Sequence, residues 1–346
     1  ILDEAQTLKN PAAQMAKTLR EIPAKGRLAL TGTPLENSLQ DLWTLTDWVN
    51  PGLLGDRKRF QTLFRTPIEK HGDASAQARL NRRLRPFMLR RTKEQVAAEL
   101  PPKTEILERV NLPKPQQALY ETVRSAMDAR VREAISTRGL AAARITVLDA
   151  LLKLRQVCCD PGLVKTETAR SVVESAKRAR LRDLLGELVA EGRRVLVFSQ
   201  FVEMLRLIEA DLVTAGIPCL TLTGQTQKRA EVLDAFAQGD APVFLLSLKA
   251  GGVGLTLTEA DTVILYDPWW NPAVERQAMD RTHRIGQDKP VFVHRLVAAG
   301  TVEEKILDMQ ARKQALADAL FDDDGGGAET LLDEATLHDL FAPLGT

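Results

Sequence analysis

Five short apolar segments alternate with helical segments in the second half of the sequence, and this alternation limits the possible folds more than any other feature. The apolar segments are RRVLVFSQ (193–200), IPCLTLTG (217–224), the start of PVFLLSLKAGGVG (242–254), TVILYDP (262–268) and PVFVHRLVA (290–298). Helical patterns separate or follow them, over 201–215, 228–238, 270–287 and 301–321. Short apolar strands that alternate with helices are typical of a parallel sheet covered by helices. We therefore predict an α/β fold built on a parallel sheet.

The first part of the sequence has a less regular pattern. RLALTG (27–32) predicts a buried strand, and residues 35–84 have a mostly helical pattern. Two proline-marked segments, LPPK (100–103) and LPKP (112–115), are typical of an extended linker. Residues 116–190 predict several helices, with a polar break near 160–176.

Composition excludes several classes of protein. The chain has 346 residues, enough for two domains with separate cores. Its net charge of +1 does not indicate a polyanionic partner, so basic surfaces have to be sought locally. Three cysteines and four histidines lack the spacing of a zinc site, and no apolar run is long enough to span a membrane. We expect a cytoplasmic protein with reduced thiols. Because Ile1 has the character of a strand end, we also expect a fragment of a longer protein.

Small polar residues stand where four of the predicted strands end. They are Ser199 and Gln200, Thr223 and Gly224, Ser247 and Lys249, and Asp267. In an open parallel sheet ligands bind at the carboxyl ends of the strands, so this row predicts a ligand-binding edge. Each residue alone is equally consistent with ordinary turn chemistry, and Asp267 with a structural role. The glycine loop 251–254 lets backbone N–H groups approach a ligand closely, although a tight turn is the simpler interpretation.

The segment WNPAVERQAMDRTHRIGQ (270–287) predicts a helix that presents phosphate-binding side chains. Its start and end are marked by Asn271 as N-cap, Pro272 in the first turn and Gly286 after the last. Three side chains recur at i, i+4 and i+7 and would share one face: Gln277, Arg281 and Arg284. Two guanidiniums on one face suit phosphate oxygens. The alternative is a solvated face on which Glu275 and Asp280 form surface salt bridges with these arginines.

Two adjacent carboxylates stand in the first six residues, ILDEAQ. A strand that delivers adjacent carboxylates suits a magnesium nucleotide. We assign Asp3 and Glu4 to a Mg²⁺ site, in which Asp3 holds the ion through water and Glu4 polarises an attacking water. LTGTP (30–34) ends the next predicted strand with two hydroxyls and a glycine at the same sheet edge. A motif of four residues is a weak signal by itself.

Together these segments resemble the Swi/Snf family of helicase-like ATPases. The resemblance lies in DEAQ, LTGTPLENSLQDLW, RPFMLRRTKEQV, LPPKTE, LRQVCCDPGL, RVLVFSQF, LSLKAGGVGLTLTEADTVILYDPWWNPAVERQAMDRTHRIGQ and TVEEKI, in the order and spacing of the family. That family has two RecA-like lobes, with ATP in the cleft between them and DNA across both. The resemblance implies the end of a first lobe, a linker with helical protrusions, a second lobe with a brace helix, and an acidic joint with a short terminal helix, over 1–95, 96–190, 191–321 and 322–346.

The resemblance also implies roles for individual residues. Asp3 and Glu4 are the magnesium and water-activating carboxylates, and Arg281 and Arg284 are the catalytic arginines that face the phosphates. The implied nucleotide-binding residues beside the arginines are Gln277, Gly252 and Gly254. The residues implied to couple nucleotide to DNA are Gln6, Thr31, Gly32 and Thr33. Those implied to contact DNA are Ser199, Gln200, Thr223, Gly224, Ser247, Lys249 and Trp270, although burial of Trp270 against the sheet is an equal alternative.

The implied function is ATP-dependent translocation on double-stranded DNA, with ATP and Mg²⁺ as cofactors and DNA held through its phosphate backbone. RNA polymerase and other DNA-bound proteins are candidate targets, and no residue decides between them. The implied location is the bacterial nucleoid, in the cytoplasm. An alternative from another class is a non-enzymatic module that binds DNA or RNA polymerase and keeps only the fold. One departure is that no glycine in the sequence is followed by lysine, so the GxGK[ST] phosphate loop of the family is absent. We therefore expect these 346 residues alone not to hydrolyse ATP.

One run of charge stands apart from the balanced composition. RLNRRLRPFMLRRTK (79–93) holds seven basic residues and no acid. Two interpretations stay open for it: a contribution to DNA binding, or bases that are solvated or bridge the lobes.

Overall fold

The protein is described by a computed structural model that covers residues 1–8, 14–32, 38–89, 91, 97, 99–251, 255–319 and 334–344. The chain divides into two compact units. Unit one comprises Ile1–Val96, Asn271–Ala273 and Met309–Asp333, and unit two comprises Ala97–Trp270, Val274–Asp308 and Glu334–Thr346. Among the described residues, no helix combines the length and the apolar character needed to cross a membrane.

Unit two is built on one sheet of six strands, all of whose pairings are parallel. In chain order the strands are β1 (Lys103–Val110), β2 (Val195–Ser199), β3 (Cys219–Leu222), β4 (Val243–Ser247), β5 (Thr262–Leu265) and β6 (Val291–Ala298). Their spatial order is β1-β6-β5-β2-β4-β3. Every residue of β2, β4 and β5 is buried, as expected for parallel strands covered on both faces. The predicted α/β fold with a parallel sheet is confirmed.

The edge strand β1 was missed by the sequence analysis, which assigned the region around it to an extended linker. It pairs with β6 along its whole length, from Lys103 opposite Val291 to Val110 opposite Ala298. Its sequence, KTEILERV, is half charged and remains largely exposed, because β1 has a neighbour on one side only. A strand of this kind is defined by the partner it pairs with more than by its own apolar pattern.

Helices flank the central strands on both faces of the sheet. In β2, Val195 and Val197 pack with the apolar sides of the helices Ala176–Ala190 and Val202–Thr214. The intervening side chains of β2 point to the other face, as the two-residue period of a strand requires, and pack with the helices Arg229–Gln238 and Pro272–Met279. The remaining helices of this unit are Lys114–Cys159, Glu167–Arg170, Leu248–Gly251 and Glu334–Leu340, with a 3₁₀ turn at Pro161–Leu163; Val302–Ala319 begins in it.

The long helical segment Lys114–Cys159 consists of two helices that meet at Gly139, whose φ of 75° lies in the left-handed region that favours glycine. The two halves fold back on each other. Near the turn, Arg130 Nη1 donates to Asp149 Oδ2 at 3.0 Å. At the far end, Gln116 Nε2 donates to Val157 O at 2.8 Å. The predicted helices in 116–190 are therefore present, and the first two form an antiparallel pair.

Unit one contains helices and one short parallel contact. Leu2 and Ala29 form an isolated parallel bridge, so the strand predicted at 27–32 is reduced to one paired residue. Helices occupy Gln14–Glu21, Leu39–Val49, Arg57–Phe60, Thr66–His71 and Ala74–Leu84, with 3₁₀ turns at Ala5–Leu8 and Arg85–Phe87. Arg57–Phe60 continues through a π-helical turn, Gln61–Arg65, into Thr66–His71. Gly72 ends that rod at a φ of 58°, and Ala74–Leu84 returns along it.

Candidate functional site

The two carboxylates of the DEAQ segment stand directly after the parallel bridge of unit one. Leu2 N donates to Leu28 O and Leu30 N donates to Leu2 O, each at 2.8 Å. Ala5 N then donates to Leu30 O at 2.9 Å, which closes the turn around Asp3 and Glu4. The pair therefore lies at the carboxyl end of two adjacent parallel segments, where the sequence analysis predicted it.

Glu4 holds a strained backbone conformation in that turn. Its φ is 49°, and among the described residues it is the one non-glycine position with a positive φ. Such a residue costs on the order of 1–3 kcal/mol and occurs most often at functional sites. Asp3 and Glu4 are both exposed, and Asp3 Oδ1 accepts the N–H of Glu4 at 2.9 Å. Exposed carboxylate oxygens suit Mg²⁺, which binds few protein ligands and keeps several waters. These two residues would hold the ion, which would neutralise charge on a bound phosphate.

A chain of hydrogen bonds connects the carboxylates to the second predicted segment. Gln6 Nε2 donates to Glu4 Oε2. Thr31 Oγ1 donates to Gln6 Oε1 at 2.6 Å. Gln6 thus links a candidate catalytic group to Thr31 and its neighbour Gly32, and Thr33 lies outside the described residues. The structure brings these predicted catalytic and coupling residues together, whereas their coupling role stays a prediction.

The helix of the 270–287 segment is shorter than predicted. It begins at Pro272, as expected, but ends at Met279, so the prediction that Gln277, Arg281 and Arg284 share one helical face is wrong. Gly286 has a φ of 101° but lies seven residues beyond the helix end. The reason is a set of hydrogen bonds that draws the chain away from the helix. Thr282 Oγ1 donates to Met279 O at 2.9 Å, and Gln287 Nε2 donates to the carbonyls of Thr258, Ala260 and Thr282.

The two arginines instead contact the segment that follows the glycine loop. Arg281 is buried, and its Nη1 donates to Leu255 O at 3.0 Å. Arg284 is exposed, and its Nη1 donates to Thr256 Oγ1 at 3.3 Å. Gly252 and Gly254 lie outside the described residues. Of the two arginines, Arg284 has the side chain that reaches solvent, so it is better placed to meet a ligand.

Glu275 does not behave as a surface salt-bridge residue. It is fully buried, and its Oε1 accepts the backbone N–H of Trp269 at 2.6 Å. Its Oε2 accepts from the guanidinium of Arg295 on β6, which also pairs with Glu105 on β1 at 3.2 Å. The sequence analysis missed this ion pair because its members come from distant segments. It fastens the short helix to the sheet.

The predicted polar row lies at the ends of the strands, but its hydroxyls are used in turns. Ser199 and Ser247 are register partners at the ends of β2 and β4, and both are buried. Ser247 Oγ accepts from Ala250 N at 3.3 Å, and Thr223 Oγ1 accepts from Gln225 N at 3.2 Å. Gly224 is exposed, and nothing is described for the side chain of Lys249. These contacts agree with the turn-chemistry alternative, and the DNA roles of the row stay predictions.

Asp267 organises the end of the sheet. Its Oδ1 accepts from Ser199 Oγ at 2.5 Å and from the backbone N–H of Gln200 at 3.3 Å. Burial raises the pKa of Asp267, while the positive charges of Arg155 and Lys177 act in the opposite direction. Arg155 Nη2 lies 3.5 Å from Asp267 Oδ2, and both side chains are almost completely buried. The structural alternative for Asp267 therefore describes its surroundings better than a ligand-binding role.

Arg155 also accounts for the position of Trp270. Its guanidinium donates to Pro268 O and lies 5.7–5.8 Å from three aromatic rings, those of Phe201, Trp269 and Trp270. Trp270 is partly buried against this arginine. The sequence analysis assigned no role to Arg155; its signal was a lone arginine in the apolar helical run LLKLRQVCC (151–159).

A third ion pair was also missed, and it is completely buried. Lys177 Nζ lies 2.9 Å from both carboxylate oxygens of Glu303, and neither side chain is exposed. Glu303 Oε2 also accepts from Ala298 N at 2.8 Å. The glutamate belongs to TVEEKI, which supports the resemblance but carries no assigned role. Because 126 residues separate the partners, the pair can be seen only in the folded chain.

Comparisons with known proteins show which family the chain is similar to. The SNF2-related domain matches residues 1–163, and the helicase conserved C-terminal domain matches residues 176–286. The chain is 38% identical to YwqA of Bacillus subtilis over 348 residues, covering 98% of the chain and 37% of that protein. It is also 38% identical, over 320 residues, to the human SWI/SNF-related matrix-associated actin-dependent regulator of chromatin subfamily A member 1, covering 89% of the chain and 30% of that protein.

A solved structure is similar over almost the whole chain. It is the Sulfolobus solfataricus SWI2/SNF2 ATPase core in complex with dsDNA, at 36% identity and a TM-score of 0.56. The match covers 98% of this chain and 71% of that one. The chain spans about a third of the length of the curated relatives, 37% and 30% for the two described above.

Proposed function

Because the chain belongs to the Swi/Snf family of helicase-like ATPases, we propose that it supplies part of a DNA-dependent ATPase that moves along double-stranded DNA. ATP with Mg²⁺ is the proposed cofactor. The proposed DNA contact is with the phosphate backbone, so binding should be strongly salt-dependent and only slightly sequence-dependent. The solved relative in complex with dsDNA supports the choice of duplex as partner.

The observation that carries the proposal is the strained, exposed turn of Asp3 and Glu4. Two carboxylates stand side by side at the carboxyl end of parallel segments, and Glu4 is tied through Gln6 to Thr31. In the proposed mechanism Asp3 orients Mg²⁺ and Glu4 accepts the proton of the attacking water. A change at Thr31 caused by DNA would reach Glu4 through two hydrogen bonds.

Arg284 is proposed to stabilise the charge that develops on the transferred phosphate. Its guanidinium is exposed and is held by one long hydrogen bond to Thr256, which a phosphate can readily replace. Arg281 is proposed to hold the segment that begins at Leu255 in position, through its hydrogen bond to Leu255 O. Its buried guanidinium would support the same site from the protein interior. An arginine in this role contributes about 10³-fold or more to turnover.

The test is duplex-stimulated phosphate release by the full gene product. We expect Arg284→Ala to lower kcat about a thousandfold and to leave the thermal unfolding midpoint unchanged, because the side chain is exposed. Arg206→Ala removes an exposed arginine that pairs with Glu203 and serves as the matched control. The 346-residue chain, which has no phosphate loop, should show no turnover. Full activity of Arg284→Ala would remove the role proposed for Arg284, and a wild-type protein that binds DNA without any ATPase activity would favour the non-enzymatic alternative.

A further inference from the structure

Positive charge is concentrated in one part of unit one. Residues 57–91 contain eleven lysines and arginines but only two acids, whereas the whole chain has a net charge of +1. One of the two acids, Glu69, pairs with Arg65 inside the segment at 2.8 Å. This surplus of positive charge is large for a chain whose total charge is almost balanced.

The two richest clusters of this charge lie on helices that pack against each other. Arg57, Lys58 and Arg59 open the helical rod 57–71, and the helix Ala74–Leu84 returns along it after the turn at Gly72. The Arg83 guanidinium lies 5.3 Å from the ring of Phe64, and that ring is 5.8 Å from the ring of Phe60. The last turn of the returning helix therefore lies beside the middle of the rod, and both helices contribute to one apolar cluster that includes Phe60 and Leu84.

Six exposed bases of these two helices form what we call the basic hairpin: Arg57, Lys58, Arg59, Arg79, Arg82 and Arg83. Within the part of the chain that the structure describes, no side-chain nitrogen of the six lies within 4.0 Å of a carboxylate oxygen. Several exposed bases of unit two do have an acidic partner. Each of the following pairs with an acid: Arg109 with Glu304, Arg132 with Asp128, Arg206 with Glu203 and Lys228 with Glu231.

Local helix electrostatics do not explain these bases. The helix dipole disfavours cations in a first turn, which is where Arg57, Lys58 and Arg59 stand. The carboxylate of Asp56 caps that turn by accepting the N–H of Arg59 at 2.8 Å. On the returning helix, Arg79 is three and four residues from Arg82 and Arg83, a spacing at which like charges repel. The arrangement therefore costs stability unless an anionic partner is present.

The chemistry of the six side chains fits a phosphate backbone. Five of the six are arginines, whose planar forked donors match phosphate oxygens better than a lysine ammonium does. Duplex DNA offers one negative charge per ~1.7 Å of its axis, a density that bases spread over two adjacent helices can follow. We propose that the basic hairpin binds the phosphate backbone of duplex DNA. This would give unit one a DNA contact outside the predicted set, all of which lies in unit two.

The proposal rests on the proposed function only in its choice of DNA, and its test needs no ATP hydrolysis. Fluorescence anisotropy with labelled duplex would be measured on the full gene product without nucleotide, over a salt series. The test variant carries Arg57→Gln, Arg59→Gln, Arg79→Gln and Arg82→Gln. The matched control removes four exposed but paired charges, with Arg109→Gln, Arg132→Gln, Arg206→Gln and Lys228→Gln.

We expect the test variant to bind duplex more than tenfold more weakly than the control, with a salt slope lower by about 0.9 for each phosphate that the variant no longer neutralises. Lysine at the same four positions should restore the slope, which shows that charge rather than folding is responsible. Equal duplex binding by the test and control variants would overturn the proposal. The proposal would also be overturned if the test variant lost as much affinity for polyglutamate as for duplex DNA, because the surface would then recognise any polyanion. Neither result depends on the ATPase outcome for Arg284→Ala, so failures of the two proposals can be distinguished.

Discussion

The Asp3–Glu4 turn of unit one and Asp267 of unit two occupy the same topological position, yet their surroundings are opposite. All three carboxylates follow the end of a parallel strand or bridge. Asp3 and Glu4 are exposed beside a single isolated bridge, whereas Asp267 is buried at the end of a six-stranded sheet and faces Arg155 at 3.5 Å. Position at a strand end therefore does not by itself indicate a role. An exposed carboxylate can meet a ligand, whereas a buried one with its partners already in place holds the turn together.

The largest effect should come from a substitution of the exposed carboxylate, Glu4. Glu4→Gln keeps the size of the side chain but removes the proton acceptor, so kcat of the full gene product should fall by about 10²- to 10⁴-fold. Stability should change little, because the side chain is exposed. Glu21→Gln, at an exposed glutamate of the same unit, is the control. If Glu4→Gln kept its activity, Glu4 would not be the carboxylate that accepts the proton of the attacking water.

Substitution of the buried carboxylate, Asp267, should lower the stability of the fold. Asp267→Ala leaves Arg155 as an uncompensated buried charge and should cost about 3–5 kcal/mol in the free energy of unfolding. Ser199→Ala removes a hydrogen bond to the Asp267 carboxylate and one from Phe201 N–H, and should cost about 1.5–3 kcal/mol. Denaturant unfolding of the 346-residue chain measures both. If Asp267→Ala unfolds like the wild type, the carboxylate is not the structural centre of this turn.

The smallest effect should be a pH dependence of stability that arises from the buried His294. Burial lowers the pKa of His294 below its ordinary 6.5, although Glu108 acts in the opposite direction. The unfolded chain therefore binds this proton more readily than the folded one, and stability should fall as pH drops from about 7 through the lowered pKa. His294→Gln should flatten that part of the stability curve. The same substitution at the exposed His71 is the control, and an equal flattening there would rule out burial as the cause.

Much of unit two could be predicted because its strands are locally distinctive. β2, β4 and β5 are continuous apolar runs, and such runs identify buried parallel strands without knowledge of their neighbours. The edge strand β1 has no such run and was missed. The start of the helix at Pro272 could be predicted from its local signals, but its end at Met279 could not, because that end depends on bonds from Gln287 to Thr258 and Ala260.

The candidate site likewise has features that could be predicted from the sequence and features that could not. The sequence by itself determined the family, the parallel α/β fold and the chemical types at the site, since these depend on residue identity and short spacing. Tertiary structure decided which groups are exposed and which are bound. It placed Glu4 in a strained exposed turn, buried Asp267 against Arg155, paired Glu275 with Arg295 and left the basic side chains of the hairpin without ion pairs among the described residues. The physical reason is that burial and ion pairing depend on segments that are distant in sequence, and only folding brings those segments within a few ångströms of each other.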